Sequence, residues 1–195
     1  MLTFVYDAFH RHPNEARLLA VLLAGYGELE YALSDCVGDV LGSQVHGLKL
    51  LFRIRSETQR LDAADAVLRP AYSKTDLAGP YSRAIGAIRW CKTQRNTYAH
   101  CHWVESNGTL WYTNMEEIGR QESDNPQLKF LPVPKAILEE QVTYFNYTMQ
   151  CFWHLRSSYA RAIGKKDHLD GFALPKALQA PQRHDDPAKY NFKLS

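Results

Sequence analysis

From Asn14 onward, apolar residues return at helical intervals. Leu18, Leu22, Tyr26, Leu29, Leu33, Cys36 and Val40 are spaced by fours and threes, which sets them on one stripe of an α-helix. Asn14 suits the start as a cap, and Gly42 sits just past the end. Gly25 and Gly27 each weaken such a helix by about 1 kcal/mol relative to alanine, and they would let another backbone approach closely. A second helix is predicted from about Ser43 to Arg69, with Leu48, Leu51, Thr58, Leu61, Asp65 and Leu68 setting the period and Pro70 stopping it. A third begins near Gly79-Pro80, because proline fits an early helical position. Its stripe is Ala84, Ile88, Cys91, Arg95, Tyr98 and His102. Polar groups enter that stripe only in its last two turns.

The period then changes. Trp103 to Tyr112 reads as two short strands joined by the two-residue turn Asn107-Gly108. Lys129 to Val133 adds a third strand at an edge, where Pro132 is tolerated. The acidic stretch between them, Met115 to Pro126, is expected to be a loop. A fourth long helix opens at Pro134, carries Leu138, Val142, Phe145, Met149, Phe152 and Tyr159 on one face, and fades at Gly164. The prolines and charges beyond it predict an extended or disordered tail over 166–195. The expected fold is all-α: an up-and-down four-helix bundle over residues 1–165, with a β-hairpin or small sheet inserted at about 103–133.

Composition narrows the class. The chain has 195 residues, 45% apolar and 23% charged, the balance of a soluble globular domain. The longest apolar stretch, Leu18 to Gly27, has ten residues where a membrane span needs about 20, so no membrane is expected as a partner. The opening MLTFVYDAFHRH has no basic region followed by an apolar one, which points to the cytoplasm. Four cysteines without CxxC spacing, all in segments read as helical, fit reduced buried thiols. The net charge of +2 conceals blocks. Residues 44–102 carry 10 basic and 4 acidic groups, a net +6, between two blocks of −4 each. Such a block attracts a polyanion; a solvated helix face accounts for it equally well.

The polar end of the third helix carries the candidate chemistry. Arg95-Asn96-Thr97-Tyr98-Ala99-His100 reads R-N-x-x-A-H. Histidine as a side-chain type titrates near neutrality and so suits removal of a 2′-hydroxyl proton. Arginine grips phosphate oxygens in a planar fork. Asparagine can orient an imidazole or bind the 2′-hydroxyl that distinguishes RNA from DNA. On an ideal helix Arg95 and His100 stand about 140° apart and about 7.5 Å along the axis, while Asn96 and His100 share a face. The bare pattern also fits Arg95/His102 and Arg161/His168, the latter crossing Gly164. The structural alternative is that Arg95 caps helix carbonyls and His100 is a satisfied structural histidine.

This motif resembles the R-x4–6-H motif of the HEPN superfamily (higher eukaryotes and prokaryotes nucleotide-binding domains). The helix layout extends the likeness over about residues 14–165; identity in sequence is confined to the motif. The resemblance implies a helical bundle with the motif on a late helix, and a metal-independent endoribonuclease of the toxin or defence type. It implies RNA as substrate, no cofactor, a homodimer whose two motifs share one cleft, and an antitoxin or regulatory protein as partner. Arg95 and His100 are then catalytic, with Asn96 in support, and the products carry 2′,3′-cyclic phosphate and 5′-hydroxyl ends. The rival readings are a catalytically inactive HEPN-like dimer that binds RNA or nucleotides or serves as a protein scaffold, and a structural bundle engaging a partner through its tail.

Three further residues are candidates for substrate binding. Glu30 has Leu19, Leu23, Tyr26, Leu33 and Val37 as helical neighbours, so its carboxylate wants a partner. That partner is Arg95 or His100 in a functional reading, and another arginine in a structural one. Tyr98 is placed to stack on a base, and His102 to assist His100; the alternative for each is filler of core or surface. No metal is expected. Cys91, His100, Cys101 and His102 are close in sequence, but consecutive helical residues point about 100° apart, and zinc sites favour other spacings. A Cys–His nucleophile built on Cys91 or Cys101 is the remaining enzymatic option.

Overall fold

The computed structural model describes residues 4–123, 125–165 and 172–192. The chain is mostly helical, with one small antiparallel sheet. In order it forms α1 (Phe4–Arg11), α2 (Pro13–Leu41), α3 (Gln44–Phe52), α4 (Glu57–Tyr72), α5 (Ala78–Ala99), β1 (Cys101–Ser106), β2 (Thr109–Asn114), α6 (Met115–Gly119), β3 (Leu131–Pro132), α7 (Lys135–Ala162) and a 3₁₀ turn at Pro187–Lys189. Two compact units interleave along the chain. One is Met1–Ala24, Thr93–Thr143 and Ala180–Ser195; the other is Gly25–Lys92 and Tyr144–Gln179, each as far as described.

In the second unit, Leu29, Leu33, Cys36 and Val37 of α2 are buried, as are Leu61, Leu68, Ala84, Ile88, Phe152 and Leu155. The single helix expected over 43–69 is two. Ser43 caps α3 by accepting from His46 N–H, and Ser56 caps α4 by accepting from Gln59 N–H. A second serine cap offers the backbone a new start, and the chain takes it. Pro70 does not end α4, which runs on to Tyr72. A proline in the last turn forfeits only one N–H bond, and the Ser73 N–H still reaches the Arg69 carbonyl at 3.0 Å. Close backbone approach occurs elsewhere than at the expected glycines. A Cβ on Gly27 would meet nothing within 4 Å, and one on Gly25 would only touch Phe145 at 3.6 Å. A Cβ on Gly47 would stand 2.5 Å from both the Gly38 nitrogen and the Ser34 carbonyl oxygen. Gly38 and Gly47 therefore seat α3 directly on the backbone of α2.

In the first unit, β1 and β2 pair in the register Trp103↔Tyr112 and β2 pairs with β3 at Trp111↔Pro132. Pro132 lies on an edge strand, as expected. Asn107 and Gly108 have φ of 51° and 73°, the left-handed pair that a tight hairpin requires. The third helix ends at Ala99, so Cys101 and His102 lie on β1 and not on a helix. The acidic segment is not wholly loop: Asn114 caps α6 by accepting from the Glu116 and Glu117 N–H groups. The short N-terminal α1 had no signal in the apolar spacing.

From Ala180 the described tail packs on this unit and is extended apart from its 3₁₀ turn. The Asp185 N–H donates to the Pro132 carbonyl at 3.0 Å. Trp111 meets the rings of Tyr190 and Phe192, and Phe130 stacks on Phe192 at 4.7 Å. Residues 166–171 and 193–195 of the tail, and with them His168, lie outside the described residues. Asp185 accepts from Lys189 Nζ at 2.7 Å, the Asp186 N–H at 2.7 Å and the Tyr190 hydroxyl at 2.9 Å, which together hold its carboxyl down at about 2. A depressed carboxyl stabilises the fold above its unfolded pKa, about 3.9, and that contribution is lost as pH falls toward 2. Tryptophan emission should therefore report release of the arm between about pH 4 and pH 2. Asp185→Asn should remove that step; an unchanged acid transition in the variant would refute the assignment.

Candidate functional site

The last turns of α5 sort their side chains by depth. Gln94 and Tyr98 are buried, whereas Arg95 and Asn96 are half-buried and His100 is exposed. Arg95 Nη1 donates to Asn96 Oδ1 at 2.8 Å. The guanidinium is thus held against its neighbour's amide, with its planar fork near the surface. His100 is the first residue beyond the helix. Its N–H reaches the Thr97 carbonyl at 3.3 Å in a closing turn, and its own carbonyl accepts from the Met115 N–H at 3.2 Å. The end of α5, the start of β1 and the start of α6 therefore meet at this residue.

The His100 imidazole faces Glu116 across the turn, with Nε2 3.6 Å from Oε1. Both side chains are about half exposed, at 51% and 48%. Arg120 donates to the other Glu116 oxygen at 3.2 Å, so the carboxylate lies between an imidazole and a guanidinium. Sequence reasoning missed Glu116 because it sits in the acidic segment read as loop. The signal was present: Asn114 followed by Glu116-Glu117 is a helix start with acidic residues in its first turn.

Tyr98 does not offer a ring to a base. It is 2% exposed, packed against Trp103 and Tyr112. Its hydroxyl donates to Gln141 Oε1 at 2.9 Å, with the Arg183 carbonyl at 3.3 Å. Burial pushes its phenol far above the ordinary range. Gln141 in turn donates to the Gln182 and Arg183 carbonyls, so one buried polar network joins α5, α7 and the arm inside this unit. Tyr98→Phe should cost about 1–3 kcal/mol of stability, the penalty for a buried acceptor left unmet, and leave RNA affinity unchanged. Thermal melts beside RNA titrations check both, and a loss of affinity without a loss of stability would restore the stacking role.

His102 alternates outward on β1 and lines a polar cleft of about 170 Å³ with Asp7, Arg11, Trp103 and Glu105. Arg11 bridges Asp7 at 3.2 Å and Glu105 at 2.9 Å there. The structure thus sets His102 beside Arg11 and His100 beside Glu116. Glu30 lies in the other unit, where Arg60 Nη1 stands 3.0 Å from its carboxylate, with Glu30 buried and Arg60 largely so. Arg60 is thus a partner of this carboxylate within its own unit.

The cysteines are ill suited to nucleophilic work. Burial pushes the Cys91 and Cys101 thiols up to about 12, so neither supplies a thiolate near neutrality. Cys101 Sγ donates to the Thr97 carbonyl at 2.7 Å. Among the described residues, no group of three or more His, Cys, Asp and Glu side chains is arranged to hold a metal ion. Among the described residues, no helix is long and apolar enough to cross a membrane. Compared with known proteins, the chain matches no family model, no curated protein and no solved structure.

Proposed function

We propose that this chain is a cytoplasmic, metal-independent endoribonuclease of the HEPN type, in which Arg95 and His100 are catalytic and Asn96 supports them. The observation that carries the reading is the sorting of side chains at the end of α5. Gln94 and Tyr98 go into the core, while Arg95, Asn96 and His100 stay within reach of a ligand.

His100 takes the proton of a 2′-hydroxyl. The freed oxygen attacks the adjacent phosphorus, forming the O2′–P bond as the P–O5′ bond breaks. The departing 5′-oxygen receives a proton from a second acid. Arg95 grips the non-bridging oxygens as negative charge builds on them, and the Asn96 amide suits the ribose hydroxyl. A single motif supplies only one imidazole, so a two-fold dimer would provide the second proton-transfer group from the partner's copy. The fold belonging to this reading is an up-and-down bundle of the long helices with the sheet as an insertion. A toxin or defence effector of this kind would be restrained by an antitoxin or regulatory protein.

One observation favours the inactive binding module instead. Glu116 places a carboxylate beside His100, where a phosphate has to approach. Expression of the wild type and of His100→Ala in growing cells separates the readings. Growth arrest with RNA degradation in the wild type alone supports the nuclease; intact RNA with both supports the module.

A further inference from the structure

The second unit carries a surface that the RNA reading does not use. In α3 only Gly47 and Leu51 are buried. Leu48, which apolar spacing assigns to the core stripe, is 41% exposed, and Val45 and Phe52 are 57% and 46% exposed. At 100° per residue these three fall within about 60° of one another, so they form one apolar stripe. Lys49 and Arg53 occupy the adjacent sector, and Arg55 follows in the connection to α4; all three are exposed. From Ser43 to Ser56 there is no acidic residue. An apolar helix face is ordinarily covered; this one stays largely exposed, with the Arg60 guanidinium lying over the Phe52 ring.

We propose that α3 docks the protein on an anionic lipid surface, with Val45, Leu48 and Phe52 entering the bilayer interface and Lys49, Arg53 and Arg55 engaging the headgroups. The charge argument selects this occupant. An apolar stripe edged on one side by cations is the pattern of a helix lying in a membrane interface, and anionic headgroups complement all three cations at once. A second copy fits less well: its own α3 would bring like charges together, and three side chains fall far short of the roughly 800 Å² per partner of a stable interface. RNA would use the cations and leave the apolar stripe in water. Rigidity supports the assignment as well. The Gly38–Gly47 contact seats α3 backbone to backbone on α2, so the stripe is presented on a fixed support. The expectation of no membrane partner rested on the length of the longest apolar run, which bears on spanning and not on surface contact.

The test uses the full chain and vesicles of phosphatidylcholine, with and without roughly one-third phosphatidylserine, in sedimentation assays at low and physiological salt. The wild type should pellet with anionic vesicles only, and less as salt rises. Lys49→Gln/Arg53→Gln should weaken partitioning about thirtyfold, at about fivefold per basic residue near the surface. Val45→Ser/Leu48→Ser should abolish it at physiological salt. All four positions are exposed, and circular dichroism should show unchanged helix content. Wild-type protein that stays in the supernatant with anionic vesicles at low salt would overturn the proposal. So would equal binding to neutral vesicles, or binding unaltered in either double variant. A wild type that ignores vesicles while α3 variants change its molecular mass in light scattering would assign the stripe to a protein contact and also overturn it. None of these outcomes depends on the RNA reading.

Discussion

Arg95→Ala and His100→Ala should each lower RNA cleavage at least about a hundredfold, the low end for losing a general base or a charge clamp. Neither should shift the melting temperature by more than the small amount expected of surface substitutions. His100 is half exposed, and its contact with Glu116 is a solvent-exposed pair of little energetic weight. Arg95 is half-buried and donates to Asn96 one residue away. Either variant cleaving at the wild-type rate would remove that residue from the mechanism, and either one unfolding would return it to a structural role. Equimolar mixing of the two inactive variants should restore part of the activity if two copies share a cleft, because one mixed half-site draws its intact arginine and histidine from opposite chains.

The largest effect on stability is expected at Glu30 and Arg60. The pair sits at 3.0 Å with side chains only 11% and 14% exposed, and the Arg60 guanidinium also lies over the Phe52 ring at 5.5 Å. Glu30→Ala leaves a buried cation without its carboxylate, which costs about 3–5 kcal/mol. Replacing both partners, as in Glu30→Leu/Arg60→Met, removes the uncompensated charge and should recover most of that loss. Denaturant titrations of the two single variants and the double variant check this. A single variant within about 1 kcal/mol of the wild type would mean that water reaches the pair and screens it.

Much of the fold is legible in the apolar spacing. The long α2, α5 and α7, the Asn107-Gly108 hairpin and the edge position of Pro132 follow from period and turn chemistry, because each is decided by contacts close in sequence. The split of the second helix is legible too, in the serines at 43 and 56, but only when capping outweighs the continuing period. Three features depend on contacts between separate elements, and spacing cannot reach them. Leu48 fits a core stripe and yet lies outside, since the Gly38–Gly47 contact fixes which side of α3 meets α2. The arm returns to Trp111 through Tyr190 and Phe192 across some eighty residues. Glu30 was recognisable as a carboxylate in need of a partner, but the contact with Arg60 rests on how α4 packs within its unit. At the motif, residue types marked the place. Their geometry differs from an ideal helix because α5 stops at Ala99 and releases His100 toward α6.

The central claim is that Arg95 and His100 cut RNA through its own 2′-hydroxyl. The direct measurement is incubation of purified protein with end-labelled RNA in excess EDTA, with chemical mapping of the new ends. The account predicts cleavage by the wild type and none by His100→Ala, with 2′,3′-cyclic phosphate on one fragment and a 5′-hydroxyl on the other. RNA left intact by the wild type, equal cutting by His100→Ala, or 5′-phosphate ends would contradict it.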